Sequence, residues 1–359
     1  MYVSVIDTGN MVSLSQQTIR FSDSPPWVQY RAAIDLEGLD PRSPAATKLR
    51  SAMEETPQLA ALLADVSTWP GTVLNSHRSA NQTFHRLSFL ADLGVSPGHP
   101  AITKAVSTIM NRIGEDGLPR LPMNYPAHFG GPGTELWCWA LCDAPVILKA
   151  LLRFGLGGDA RIQRGIETIL GLGKSFGWPC AVAPELGTFR GPGRKDEPCP
   201  YANLVSLDMA AACMETSSGQ PSGCRTLGSV PGSDSVPHRE PLADHPAVLA
   251  GIEALLDCWE HSREKHPYMF HAGTDFRKLK APFIWYDILH VADTLSRFPL
   301  ACRDERFKEM LAVIHAKRQP DGSYIPESVY QPYKAWDFGQ KKIPSPWIGF
   351  LIARMERQI

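Results

Sequence analysis

Four segments of this chain share one design, and that repetition constrains the fold more than any other feature. They are His99-Pro100-Ala101-Ile102 to Met110, Asp159-Ala160-Arg161-Ile162 to Leu170, His245-Pro246-Ala247-Val248 to Leu256, and Asp304-Glu305-Arg306-Phe307 to His315. Each opens on a polar residue suited to a helix cap and then carries apolar residues at helical spacing. Two of them place Pro at the first helical position, where its missing N–H is harmless. A second helix-like run precedes each one: Phe84 to Leu93, Val146 to Phe154, Leu204 to Met214 and Ile284 to Phe298. The segment starts lie 60, 86 and 59 residues apart. Ser217 to Glu240, rich in Ser, Gly and Pro, accounts for the long middle interval as an inserted loop over about 217–243. Strand-type alternation is scarce. The pattern predicts an all-α array of helical hairpins, and such units need neighbours to bury their apolar faces.

The ends follow from the same signals. Ser22-Asp23-Ser24-Pro25-Pro26 breaks regular structure ahead of Trp27 and Tyr30, so residues 1–42 read as an irregular arm packed on the surface of a domain spanning 43–359. Ser43 and Pro44 suit a helix start, and Pro57 must kink or split the apolar run from Leu49 to Leu63. A last helix, Pro346 to Arg357, is positioned to close a ring with the first. Turns bearing Gly with Asp or an aromatic end several repeats: Glu115-Asp116-Gly117, Phe176-Gly177-Trp178, and Gln319-Pro320-Asp321-Gly322-Ser323-Tyr324.

Helix, Gly/Asp turn, helix, then Gln-x-Asp-Gly-x-aromatic at Gln319 to Tyr324 resembles the repeat of the squalene cyclase and protein prenyltransferase β-subunit superfamily. The resemblance covers roughly Gln82 to Ile359. It implies a terpenoid cyclase-like α/α toroid whose inner helices line a central aromatic, apolar cavity for isoprenoid chains. By that resemblance the helices beginning at Cys142, Cys199 and Phe283 are inner ones. The family's Asp-x-Asp-Asp acid and Asp-Asp-x-x-Asp magnesium motifs do not occur, and Cys142-Asp143 stands where a prenyltransferase-type zinc site has Asp-x-Cys.

Two constellations carry candidate chemistry. Cys142 and Cys199 stand in one register, each followed three residues later by Pro145 or Ala202 and then by an apolar helix, and Cys180 lies in the loop that returns to the same end. Three such thiols fit the ligand set of catalytic zinc, with His128, Asp143 or water as the fourth ligand. The alternatives are reactive thiols at helix N-termini or simple packing. In Trp285-Tyr286-Asp287-Ile288-Leu289-His290, Asp287 and His290 share a helical face, where a carboxylate can orient an imidazole. The bland reading makes Asp287 an N-terminal cap. Tyr286 and Tyr201 are candidates to line the same site.

Composition narrows the partner. The net charge of −1 with no basic cluster lacks the footprint of a nucleic-acid or anionic-membrane binder. No window is long and apolar enough for a transmembrane helix and no secretory leader is evident, so the expected location is cytoplasmic, with the 8 cysteines as thiols or ligands. These features predict an enzyme acting on a small apolar, isoprenoid-like substrate by cyclisation, isomerisation or prenyl-type transfer, with zinc as its candidate cofactor. Asp287, His290, Tyr286, Tyr201 and Asp143 are its candidate catalytic residues. The alternatives are a noncatalytic toroid that binds a lipid or a protein, and a carbohydrate-active α/α barrel. The sequence carries no signal for oligomeric state.

Overall fold

The structure is a computed structural model that describes residues 21–74, 76–187, 196–218, 241–264 and 275–359. The expected inserted loop lies almost wholly outside the described residues, as does the arm before Phe21. Among the described residues the fold is all-α, with one short antiparallel pair, β1 (Leu121–Met123) and β2 (Leu136–Cys138).

The helices are α1 (Pro26–Asp35), α2 (Pro44–Glu54), α3 (Pro57–Val66), α4 (Thr83–Leu93), α5 (Pro100–Met110), α6 (Ala144–Leu151), α7 (Ala160–Leu172), α8 (Pro200–Ser218), α9 (Pro246–Glu260), α10 (Ile288–Leu295), α11 (Pro299–Cys302), α12 (Glu305–His315) and α13 (Pro346–Glu356). The caps predicted from sequence form. The side chains of His99, Asp159, His245 and Asp304 each accept from the backbone N–H two residues on, which satisfies one orphan donor per helix. Pro57 splits its run into α2 and α3, with Thr56 capping the second piece.

Packing then closes a ring. α4 packs on α6, α6 on α8, α8 on α10, and α10 on α13. The ring shuts where Phe89 of α4 meets Trp347 of α13, ring centroids 5.9 Å apart. Every residue of α6 and of α10 is buried, Lys149, His290 and Asp293 among them. α5, α7, α9 and α12 bury one face only and make the outer wall; α7 packs on α6 and α9, while α12 packs on α9 and α10. This is an α/α toroid. The arm expectation is corrected in part: residues 26–35 are helical, because Pro25 and Pro26 start α1 rather than only ending a loop. α1 docks on α13, with Trp27 donating to Asp337 at 3.0 Å.

The loop glycines let the hairpins approach. Gly117 has φ +77°, and an added Cβ would sit 2.2 Å from the amide nitrogen of Gly165 in α7. Both the left-handed backbone and the backbone clash oppose a side chain. Gly117→Ala is expected to destabilise the chain by at least about 2 kcal/mol, read as a lower urea midpoint with unchanged slope. A shift no larger than that of an exposed surface substitution would contradict this close approach.

Candidate active site

The inner helices all begin at one end of the ring and finish at the other, and the two ends differ in chemistry. At the finishing end Arg31, Asp35, Arg153, Glu215, Arg297, Arg354 and Arg357 surround a cavity of about 490 Å³. Cations suit the carbonyl ends of helices, and Arg357 bonds the α1 carbonyls of Asp35 and Leu36. Towards the middle of the ring a buried ion network ties the helices together. Lys149 lies 3.0 Å from Asp92 and 2.8 Å from Asp208, and Arg297 lies 2.5 Å from Asp208.

Phe89, Asp92, Pro282, Phe283, Trp347, Leu351 and Arg354 enclose a void of only about 10 Å³. Counted where the centre of a water molecule fits, that space holds about one water, so the gap at this position between α4 and α13 is narrow.

The starting end carries the candidate chemistry. Asp143 is the N-cap residue of α6 and is wholly buried. Its Oδ2 lies 2.7 Å from His77 Nε2, and its Oδ1 accepts weakly from the Ala140 amide at 3.4 Å. On the far side of the imidazole, His77 Nδ1 lies 3.3 Å from the Tyr125 hydroxyl. Tyr125, His77 and Asp143 thus form a line of hydrogen-bonding groups along which a proton can shift. Burial raises the carboxyl of Asp143, outweighing the opposing bonds from His77 and Ala140. Burial likewise keeps the Tyr125 phenol protonated. His85, pushed down to about 3 by burial, stays neutral and makes a 2.7 Å bond to the His77 carbonyl, which it can only donate to. That bond fixes the loop that presents His77.

Aromatic rings stand at the same end. Tyr201 stacks obliquely on Trp285 with centroids 4.1 Å apart, and Trp285 on Tyr286 at 5.1 Å. The Tyr201 hydroxyl donates to the Ile284 carbonyl at 2.8 Å. The Arg78 guanidinium lies 5.7 Å over the Trp285 ring, so that π face already holds a cation. Burial pushes Tyr286 up to about 12 and raises Tyr201 well above the usual phenol range.

The three cysteines of the zinc expectation lie on segments that meet at this end. The Leu141 amide donates to the Ala181 carbonyl at 3.0 Å and the Cys199 amide to the Trp178 carbonyl at 2.8 Å, which brings the Cys180 segment against the segments of Cys142 and Cys199. Cys142 lies within electrostatic range of Cys199. Among the described residues no three or more His, Cys, Asp or Glu side chains are grouped to hold a metal ion. His128 is exposed on the one-turn Ala127–Phe129 helix.

Asp287 and His290 are not brought together as a carboxylate–imidazole pair. Asp287 Oδ1 accepts from the Leu289 and His290 amides at 3.1 and 3.0 Å, which makes it the cap of α10. His290 Nδ1 instead faces the Trp285 carbonyl at 3.1 Å, its ring stacks on Phe283, and its Nε2 lies 3.9 Å from Asp208.

No protein-family model and no curated protein matches the chain. Among solved structures, the type II terpene cyclase MstE from Scytonema in its apo form aligns with 12% identity over 93% of this chain and 89% of that one, with a TM-score of 0.38. A variant of the same enzyme in complex with geranylgeranyl dihydroxybenzoate aligns with 12% identity over 93% and 87%, also at 0.38. Likeness at that level identifies neither a family nor an activity.

Proposed function

We propose that this chain is an enzyme that protonates an apolar, isoprenoid-like substrate at the starting end of its toroid, with Asp143 as the acid. The observation that carries the reading is the buried line Tyr125–His77–Asp143 beside an aromatic cluster. Alkene protonation needs a carboxylic acid kept neutral near pH 7, and burial is how a protein achieves that. His77 and Tyr125 return the proton to Asp143 after transfer. Tyr201 and Tyr286 steady the cation formed on the substrate, by on the order of 1–2 kcal/mol each when desolvated. MstE, whose complex contains a geranylgeranyl-bearing substrate, suggests the first compounds to try. Its contribution is no more than that.

The test is isotopic. Incubation with geranylgeranyl dihydroxybenzoate and related polyprenyl compounds in deuterium oxide is expected to give a product carrying one carbon-bound deuterium, seen by mass spectrometry. Polyprenyl compounds recovered without such deuterium would remove the acid role.

The narrow gap between α4 and α13 favours a second reading, a noncatalytic toroid. On that reading no polyprenyl compound turns over, and binding confined to the outer wall is the expected result.

A further inference from the structure

The finishing end of the ring carries more cation than its internal bonds use. Five arginines and two carboxylates line the cavity of about 490 Å³ there, with Ala91, Gly94 and Gln358 as the rest of its wall. The chain as a whole has a net charge of −1, so this excess is local. The wall gathers many elements: Arg31 lies in α1, Arg153 follows α6, Glu215 lies in α8, Arg297 follows α10, and Arg354 lies in α13. Several of these charges are matched. Arg31 lies 2.6 Å from Asp35, Arg354 2.6 Å from Asp293, and Arg297 Nη2 2.5 Å from Asp208. Arg297 Nε donates to the Asp293 carbonyl at 3.2 Å and Arg357 to the carbonyls of Asp35 and Leu36, as suits cations near helix ends. Other donors are left over. Among the described residues, the buried atoms Arg297 Nη1 and Arg153 Nε have no hydrogen-bond partner. The Arg297 side chain is only 7% exposed, and a buried charged donor left unbonded is costly. Glu215 serves it poorly: Oε1 stands 3.5 Å from Arg297 Nη1 and Oε2 3.6 Å from Arg153 Nη2, and the Glu215 side chain is 46% exposed. This carboxylate straddles two guanidiniums at distances too long for good hydrogen bonds.

We propose that this cavity binds a small phosphate compound carrying two or more negative charges, at a site separate from the acid of the starting end. A phosphate presents oxygens in three dimensions and can accept from guanidiniums on several walls at once, whereas a carboxylate is planar and offers two oxygens. The ligand takes the free donors of Arg297 Nη1 and Arg153 Nη2, Arg357 approaches it from the exposed rim, and Glu215 turns out into water. Arg31 and Arg354 stay with Asp35 and Asp293 and contribute field rather than new bonds. Ala91 and Gly94 give the wall too little apolar surface to hold an isoprenoid chain. The buried network of Lys149, Asp92 and Asp208 also stands between this cavity and the starting end. The ligand is therefore not the molecule that Asp143 protonates. Bound there, it ties α1 and α13 to the segments that follow α6 and α10, so it stabilises the closed ring by mass action.

The test is calorimetric titration of the full chain in phosphate-free buffer at fixed ionic strength, with sodium diphosphate and sodium chloride as separate titrants. Diphosphate is expected to bind saturably at one site and to raise the urea midpoint, while chloride at matched ionic strength does neither. Two variants of exposed or half-exposed residues should shift the affinity in opposite directions. Glu215→Gln removes the competing charge and is expected to tighten diphosphate by about 3- to 10-fold, and Arg357→Gln to weaken it by about the same factor. Both should keep the wild-type helical circular dichroism; should one fail to fold, the other carries the comparison. Three results would overturn the proposal: no saturable heat from the wild type up to about 10 mM diphosphate, the same heat and stabilisation from chloride, or wild-type affinity in a folded Glu215→Gln or Arg357→Gln variant. No isoprenoid enters these measurements, so their failure is distinct from failure of the acid reading.

Discussion

Asp143→Asn is expected to lower turnover of any isoprenoid-like substrate by at least about 10²-fold and to eliminate the deuterium label, while leaving the fold intact. Asparagine has nearly the same shape and keeps an acceptor for the Ala140 amide and a partner for His77 at 2.7 Å, so positioning survives and the transferable proton does not. The expected signature is a fall in kcat with little change in KM, because the acid acts in the transition state. Tyr125→Phe removes only the outer member of the line, so its effect is expected to be about 2- to 10-fold, the size of one hydrogen bond.

The pH dependence has a fixed sign. Burial raises the Asp143 carboxyl above its unfolded value, and catalysis needs the protonated form, so activity is expected to decline as pH rises through that raised value. Stability follows the same linkage. A carboxyl raised on folding adds stability that is fully present below its unfolded value of ~3.9 and is lost as pH climbs through the folded one. At neutral pH the wild type therefore carries a cost that Asp143→Asn removes. The variant should be at least as resistant to urea as the wild type, a trade of stability for function common at active sites. A variant that retained turnover and label would remove Asp143 from the chemistry; one that also lost its helical circular dichroism would show that the pair is structural.

The toroid was legible because local signals and tertiary packing agree. His99, Asp159, His245 and Asp304 could be read as caps from their neighbours alone, and each does cap its helix. The Gln319 to Tyr324 turn is equally local, with Gly322 at φ +86° and the Gln319 amide donating to the Ser323 carbonyl at 2.8 Å. The candidate site was legible only where it lies at helix starts. Cys142, Asp143, Cys199 and Tyr201 could be placed at one end because helix register fixes them. His77 could not: it sits in a polar loop 66 residues from Asp143, and no spacing rule joins the two. Asp287 and His290 misled for the same reason in reverse, since i,i+3 proximity was a local signal, yet the capping demand at the start of α10 took the carboxylate.

One further signal lies inside the inner helices. Lys149 interrupts the apolar run Val146 to Leu152, and Asp208 interrupts Leu204 to Ala212. A charge inside a helix apolar all round must find an opposite charge or remain unpaired in the core. These two find each other across the α6–α8 contact at 2.8 Å. The reading that called those helices inner therefore already required an ion pair between them.

Asp208→Ala is accordingly expected to be among the most destabilising single substitutions in the chain, costing about 3–5 kcal/mol. Asp208 and the cations it serves are buried: side-chain exposure is 8% for Asp208, 4% for Lys149 and 7% for Arg297. Removing the carboxylate leaves Lys149 with Asp92 at 3.0 Å and Arg297 with Asp293 and Glu215 at 3.5 Å, which places the expected cost near the lower end. Asp208→Asn should lose less, since it keeps an acceptor for Arg297 while losing the charge. The exposed pair Lys308–Glu305 at 2.6 Å is a control of similar geometry and opposite environment, and breaking it should change stability hardly at all. Burial works to raise the Asp208 carboxyl, but Lys149 and Arg297 outweigh it and hold the group well below the usual carboxylate range. A carboxyl depressed on folding contributes stability that is present above its unfolded value of ~3.9 and lost as pH falls through the folded one. The wild type should therefore lose stability on acidification below about pH 4 more steeply than Asp208→Asn. Because the network is out of solvent, the difference should persist at high salt, unlike that of a surface pair. Urea titrations of the variants at neutral and acid pH decide the matter. A loss under about 1 kcal/mol for Asp208→Ala would mean that water or the remaining acids already compensate Lys149 and Arg297, and that the ring is held by its apolar contacts alone.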